Sequence, residues 1–168
     1  MVEVERFSQL RLSTETRRFE TSFVVQREVQ SVEVSCLIHA TEDEERVVRQ
    51  IQALLTIAEG PESTSLEGHF GNRILHVRWH LIGDEAWVCF QSLLGILGKA
   101  GRGELESRIS EHLDEHRALY VRLSKQALMN GEGVISETDP VRIRIKPRSF
   151  TIGGDTEAFY ARLLEGAS

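Results

Sequence analysis

The segment Val141-Arg142-Ile143-Arg144-Ile145-Lys146-Pro147-Arg148 alternates a branched apolar residue with a cation. A pleated strand sorts such residues onto opposite faces, because its side chains repeat at every second position. Val141, Ile143 and Ile145 then require a core. Arg142, Arg144 and Lys146 form a row of charges about 7 Å apart on the other side. A chain carrying this strand builds a sheet with one buried face. Its other face is neutralised by carboxylates, simply solvated, or offered to a polyanion such as a phosphate backbone.

The same period recurs upstream. Val32, Val34, Cys36 and Ile38 share one face of a strand predicted over residues 29–39, with Glu33, Ser35 and His39 opposite. Leu75, Val77, Trp79 and Leu81 oppose His76, Arg78 and His80 in a strand over 73–81, preceded by a short strand at 64–68 with Gly71-Asn72 in the connection. A further strand covers 119–123, and a short one falls at Val134-Ile135. Helical spacing fills the intervals. Thr41-Glu42-Asp43-Glu44 reads as a capping box, and its acids suit the positive end of the helix dipole. That helix runs on Val47, Val48, Ile51, Leu54 and Leu55 to about Ala58, and Gly60-Pro61 stops it. Gly83-Asp84 opens a second, on Trp87, Phe90, Leu93, Leu94 and Leu97; the glycines from Gly98 to Gly103 break it. A more polar helix follows over 104–116, a short helical turn over 124–130, and a closing helix over 155–165 on Phe159, Leu163 and Leu164. Residues 1–28 balance five acids with five bases and read as an extension or arm, with an edge strand near Phe23-Val24-Val25. Residues 29–166 form one α+β domain: a mainly antiparallel sheet with helices packed on one face.

The net charge of −6 argues against indiscriminate binding to nucleic acid, but the charge is uneven. Residues 41–67 hold seven acids against two bases, and residues 117–150 hold seven bases against three acids. An acidic protein with a basic end still binds a polyanion locally. No apolar run approaches a membrane helix, and the N-terminus lacks a signal-peptide pattern, so a cytoplasmic protein is expected. Cys36 and Cys89 both sit in apolar patterns and read as buried thiols.

Motifs for chemistry are sparse. His112 and His116 stand four apart on a predicted helix, but no third metal ligand accompanies them, and they read as surface histidines. His76 and His80 are about 13 Å apart on one strand, too far to chelate together. Gly98-Lys99-Ala100-Gly101 fits the G-x-x-G of a KH loop, which clamps nucleic-acid backbone between two helices, but four-residue glycine patterns are common and a helix end recruits glycine on its own account. No nucleophile–base arrangement is present, so neither an enzyme, a metal nor a cofactor is expected. The strand faces make the better constellation. Arg78, Arg122, Arg142, Arg144 and Lys146 all fall on non-core faces, and Lys125 and Arg148 extend the rim.

Four blocks then carry a family resemblance. His39-Ala40-Thr41-Glu42-Asp43-Glu44, Leu66-Glu67-Gly68-His69-Phe70-Gly71-Asn72, Leu119-Tyr120-Val121-Arg122-Leu123-Ser124-Lys125-Gln126-Ala127 and Asp139-Pro140-Val141-Arg142-Ile143-Arg144-Ile145-Lys146 occur in this order. Together they resemble an archaeal family of predicted exosome subunits and RNA-binding proteins, departing from its pattern at Ser124, where that family has aspartate. The resemblance implies a fold like that of the ribosomal protein that binds 5S rRNA, a homodimer, and a role in RNA processing beside exosome or ribosome-related proteins. It supplies no catalytic residues. The expectation is a non-catalytic protein that holds structured RNA by its phosphates with weak sequence specificity, Tyr120 and Phe70 being the only aromatics placed for stacking. The alternatives are a dimeric docking module of an RNA-degrading assembly without direct RNA contact, and a KH-like module using the Gly98–Gly101 loop.

Overall fold

The computed structural model describes residues 28–148 and 154–166, so the expected N-terminal arm lies outside it except for Glu28. Five strands form one antiparallel sheet: β1 (Val29–His39), β2 (Glu62–Glu67), β3 (Arg73–Ile82), β4 (Leu119–Ser124) and β5 (Pro140–Pro147). Their order across the sheet is β2-β3-β1-β5-β4, which puts the first strand at the centre. Four helices accompany them: α1 (Glu44–Leu55), α2 (Gly83–Ser107), α3 (Lys125–Met129) and α4 (Thr156–Glu165).

The alternation that predicts the strands also sets their register. Val34 pairs with Trp79 on one side and Ile143 on the other, and Ile143 pairs with Val121, a continuous apolar row buried under the helices. Sliding β1, β3, β4 or β5 by one residue would expose such a row and turn polar side chains inward instead. Val29 and Val32 are both fully buried although three residues apart. A register shift between Val29 and Ser31 takes up the odd residue as a bulge. The long helix α2 covers β1 and β3 with Phe90, Leu93, Leu94 and Leu97, and α1 packs on α2 through Val47, Ile51 and Leu55. In α4 the buried set includes Tyr160 beside Phe159, Leu163 and Leu164. The Tyr160 hydroxyl reaches the carbonyls of Arg117 (2.8 Å) and Ile145 (3.1 Å), which ties the last helix to the sheet.

Several expected boundaries move. The first helix is capped by Asp43, whose carboxylate accepts from the Arg46 N–H (3.0 Å), and not by Thr41. It ends at Leu55, where Thr56 turns left-handed at φ 54°. The glycine-rich segment is not a loop. Only Gly98 leaves helical geometry (φ 60°, ψ −171°), a conformation open essentially to glycine alone, and the chain is helical again to Ser107. The G-x-x-G segment thus lies at a kink inside one long helix, without the loop that a KH clamp needs. The helix expected over 104–116 ends at Ser107, and a 3-10 turn, Ile109–His112, follows. His112 is buried there, with Nδ1 3.0 Å from the Tyr120 carbonyl, while His116 is exposed beside Glu115. The two histidines do not converge.

Candidate nucleic-acid interface

The described helices leave one sheet face uncovered, and strand parity decides what stands on it. One cross-sheet row reads Glu62–Arg78–Ser35–Arg142–Arg122 from β2 to β4. The next reads His80–Glu33–Arg144–Tyr120, and beyond it Ser31 lies between Ile82 and Lys146. Neighbouring strands are about 4.8 Å apart, so Arg78, Arg122, Arg142, Arg144 and Lys146 share one surface. A groove of about 270 Å³ crosses it beside Ser35, His76, Asp139 and Arg142.

Geometry divides these cations into two kinds. Arg144 is mostly buried and its guanidinium donates to Asp114 at 2.9 Å. That bond raises the Arg144 pKa, and burial only partly offsets it. Burial alone would push the Asp114 carboxyl up; the Arg144 bond and the N–H groups of Ala118 and His116 outweigh it and hold the carboxyl below its ordinary range. Arg122 meets Glu137 at 3.3 Å. The guanidinium carbons of Arg122 and Arg144 stand 5.9 and 5.5 Å from the centre of the Tyr120 ring, so cations already crowd this aromatic. Arg78, Arg142 and Lys146, by contrast, are exposed and make no ion pair among the described residues.

Lys125 is elsewhere. The first residue of α3, it is 3% exposed. Its ammonium donates to the Leu37 carbonyl (2.7 Å) and to Glu42 (2.7 Å), and it meets Asp139 at 2.9 Å. Burial would depress its pKa, but the two carboxylates prevail and raise it above the ordinary lysine value. The lysine joins β1, the approach to α1 and the turn before β5, and it is buried among them. His39, Glu42 and Asp139 bring potential metal-ligating atoms within 4.8 Å of one another, but the Lys125 ammonium already supplies the positive charge there. Arg148 follows β5, with its N–H bonded to the Glu28 carbonyl at 2.8 Å.

Sequence reasoning put the strand cations on the non-core faces and missed the acids that pair with two of them. Asp114 falls in a segment that reads as helix but leaves helical geometry after His112, Glu137 sits in a loop with no periodicity, and Glu42 lies in a run that reads as helix-capping. Its partner Lys125 is 83 residues away, beyond the reach of any local pattern.

Comparison with known proteins bears on the same segment. A family model described as RNA binding matches residues 31–147, from β1 through β5. An RNA-binding protein of Pyrococcus abyssi is 32% identical over 127 residues, covering 71% of this chain and 82% of the relative. Among solved structures, a DUF54 protein of Archaeoglobus fulgidus superposes with a TM-score of 0.69 at 25% identity, covering 82% of this chain and 99% of that one. A DUF54 protein of Methanothermobacter thermautotrophicus gives 0.65 at 22% identity, covering 83% and 98%.

Proposed function

The chain belongs to the RNA-binding family that matches it from β1 through β5, and from that premise we propose that the open sheet face holds RNA by its phosphates. Arg78, Arg142 and Lys146 are the contacts, because they are the exposed cations of the face that no carboxylate among the described residues has claimed. Arg144 and Arg122 act behind them. Their bonds to Asp114 and Glu137 hold the strand edge and Tyr120 in place, and Arg122 reaches a phosphate only by leaving Glu137. Lys125 belongs to the framework, and Arg148 marks the end of the track.

Phosphate contacts on a flat sheet fix position and carry little sequence information, so the protein recognises the shape of a structured RNA. The face also presents Glu33 and Glu62, which keep its field modest and favour one docked geometry over indiscriminate attraction. No step of catalysis is assigned. The resemblance of the four blocks supports a further reading as an accessory factor in RNA processing, beside an RNA-degrading assembly such as the exosome.

A docking module without RNA contact is the competing reading. One observation favours it: β2 is an edge strand with all six residues exposed, open to pairing with a second copy in a homodimer or with another protein. Fluorescence anisotropy with a duplex RNA separates the two. Arg78→Glu/Arg142→Glu should abolish binding with the circular dichroism spectrum unchanged. A wild type that binds no RNA at low salt would leave docking as the function.

A further inference from the structure

The β2–β3 hairpin ends in an aromatic ring that the fold leaves bare. Phe70 is 91% exposed, and the other large hydrophobics exposed among the described residues reach at most 63%. The turn beneath it is closed, not slack. The Gly68 N–H donates to the Asn72 carbonyl at 2.7 Å, and the Gly71 N–H donates to the Gly68 carbonyl at 2.9 Å. Gly71 sits at φ 73°, where a side chain would be strained. His69 packs edge-to-face on Phe70, ring centres 5.1 Å apart. A phenyl ring is thus held away from the core on a well-defined turn, at a standing cost in hydration.

What lies next to the ring identifies what it meets. From the turn back along the open face, the hairpin carries the cross-strand pairs Leu66–Ile74, then Thr64–His76, then Glu62–Arg78. The ribbon leads from the ring, past an apolar pair, to the first unclaimed cation of the RNA face. Arg78 is about 17 Å along the strand from Arg73, a span that a few unpaired nucleotides cover. The ring is flanked in the turn by His69 and Gly71, and the apolar surface beside it is confined to the Leu66–Ile74 pair, less than a stable protein interface buries. A single ring with a polar flank suits a flat, singly presented partner, and nucleobases have that shape. Tyr120 on the same face is already flanked by Arg122 and Arg144.

We propose that Phe70 stacks on an unpaired base of the RNA whose phosphates lie on the open sheet face. The preferred ligand is then a helix flanked by a single-stranded tail, not a blunt duplex. This rests on the phosphate-binding reading and adds the ligand's class to it.

The test uses the full chain, a blunt RNA hairpin, and the same hairpin with a short unpaired tail carrying 2-aminopurine. Wild type should bind the tailed RNA more tightly by roughly 5- to 150-fold, the range of one base–aromatic stack, and should quench the 2-aminopurine. Phe70→Ala should lose both the preference and the quenching and still bind the blunt hairpin as before. Phe70→Trp should keep both. Equal affinity of the wild type for the two RNAs overturns the inference and leaves the phosphate reading intact. Equal weakening of both RNAs by Phe70→Ala overturns it as well. A change of oligomeric state in Phe70→Ala by light scattering, with the tail preference retained, would make the ring a contact between copies of the chain. Failure of the wild type to bind either RNA would refute the phosphate reading itself.

Discussion

Removing one unclaimed cation should change how strongly salt weakens RNA binding, and removing a claimed one should not. Each phosphate neutralised on a duplex contributes about 0.9 to the slope of log K against log salt concentration. Three contacts, at Arg78, Arg142 and Lys146, predict a slope of about −2.7, so affinity should fall roughly 40-fold from about 50 to about 200 mM salt. Arg142→Ala should bring the slope to about −1.8 and the loss over the same interval to roughly 12-fold. Arg144→Ala should leave the slope at the wild-type value, because that guanidinium already spends its charge on Asp114 at 2.9 Å. Its cost appears in stability. Losing a charge-assisted, mostly buried hydrogen bond should cost about 1.5–3 kcal/mol and lower the melting temperature by several degrees. Anisotropy titrations at four salt concentrations, with melting curves on the same proteins, give both readouts. Equal slope changes for the two variants would refute the division of the face into free and engaged cations.

Lys125→Met strands two carboxylates around an apolar side chain. Since both are partly exposed, the cost should fall near the lower end for a broken buried pair, about 3 kcal/mol, read as a lower urea midpoint with the denaturant slope unchanged. Asp114 has a folded pKa below its ordinary 3.8, so its stabilisation is complete above that pH and is lost as pH falls through the lower folded value. Asp114→Asn should therefore melt lower than wild type at neutral pH, with the gap closing in strong acid; a gap that persists there would contradict the assignment. Cys36 and Cys89 are buried, and burial pushes each thiol up to about 12, with Lys125 partly opposing it at Cys36. Neither should react with a disulfide reagent in the native protein at mildly alkaline pH, and both should react in concentrated guanidinium. Gly98→Ala should cost about 1–3 kcal/mol through its left-handed backbone alone, since nothing lies within 4 Å of the added methyl; an unchanged melting temperature would count against the kink.

The strands were legible because a two-residue period, once anchored by Val32, Ile143 or Val77, leaves one choice of buried face. The row of cations on the opposite face was legible for the same reason. Their pairing was not. Whether Arg144 faces solvent or Asp114 depends on a turn after His112 that the helical spacing of 104–116 conceals and whose position the sheet determines. Capping failed at Thr41-Glu42-Asp43-Glu44 because two registers are open there. The structure uses Glu42 for Lys125 and the His39 N–H, leaving Asp43 as the cap. At Gly98–Gly103, three glycines in six residues look like a break, but packing keeps all but Gly98 helical. Tyr160 drew no notice as a core residue, because only the fold brings the carbonyls of Arg117 and Ile145 to its hydroxyl.

The position of β1 at the centre of the sheet also bears on how the chain is made. Both neighbours of this strand come later in the sequence: β3 after an intervening helix and β2, β5 only after most of the domain has been synthesised. During synthesis, β1 can pair early on its β3 side, while its other edge waits, with backbone N–H and C=O groups unmatched, for the basic strand. Such distant pairing slows folding, and an unmatched edge invites strands from other chains. The strand that carries Arg142 and Lys146 is thus also the one that completes the pairing of β1. A chain truncated before Pro140 should therefore leave the inner edge of β1 bare and prone to aggregate.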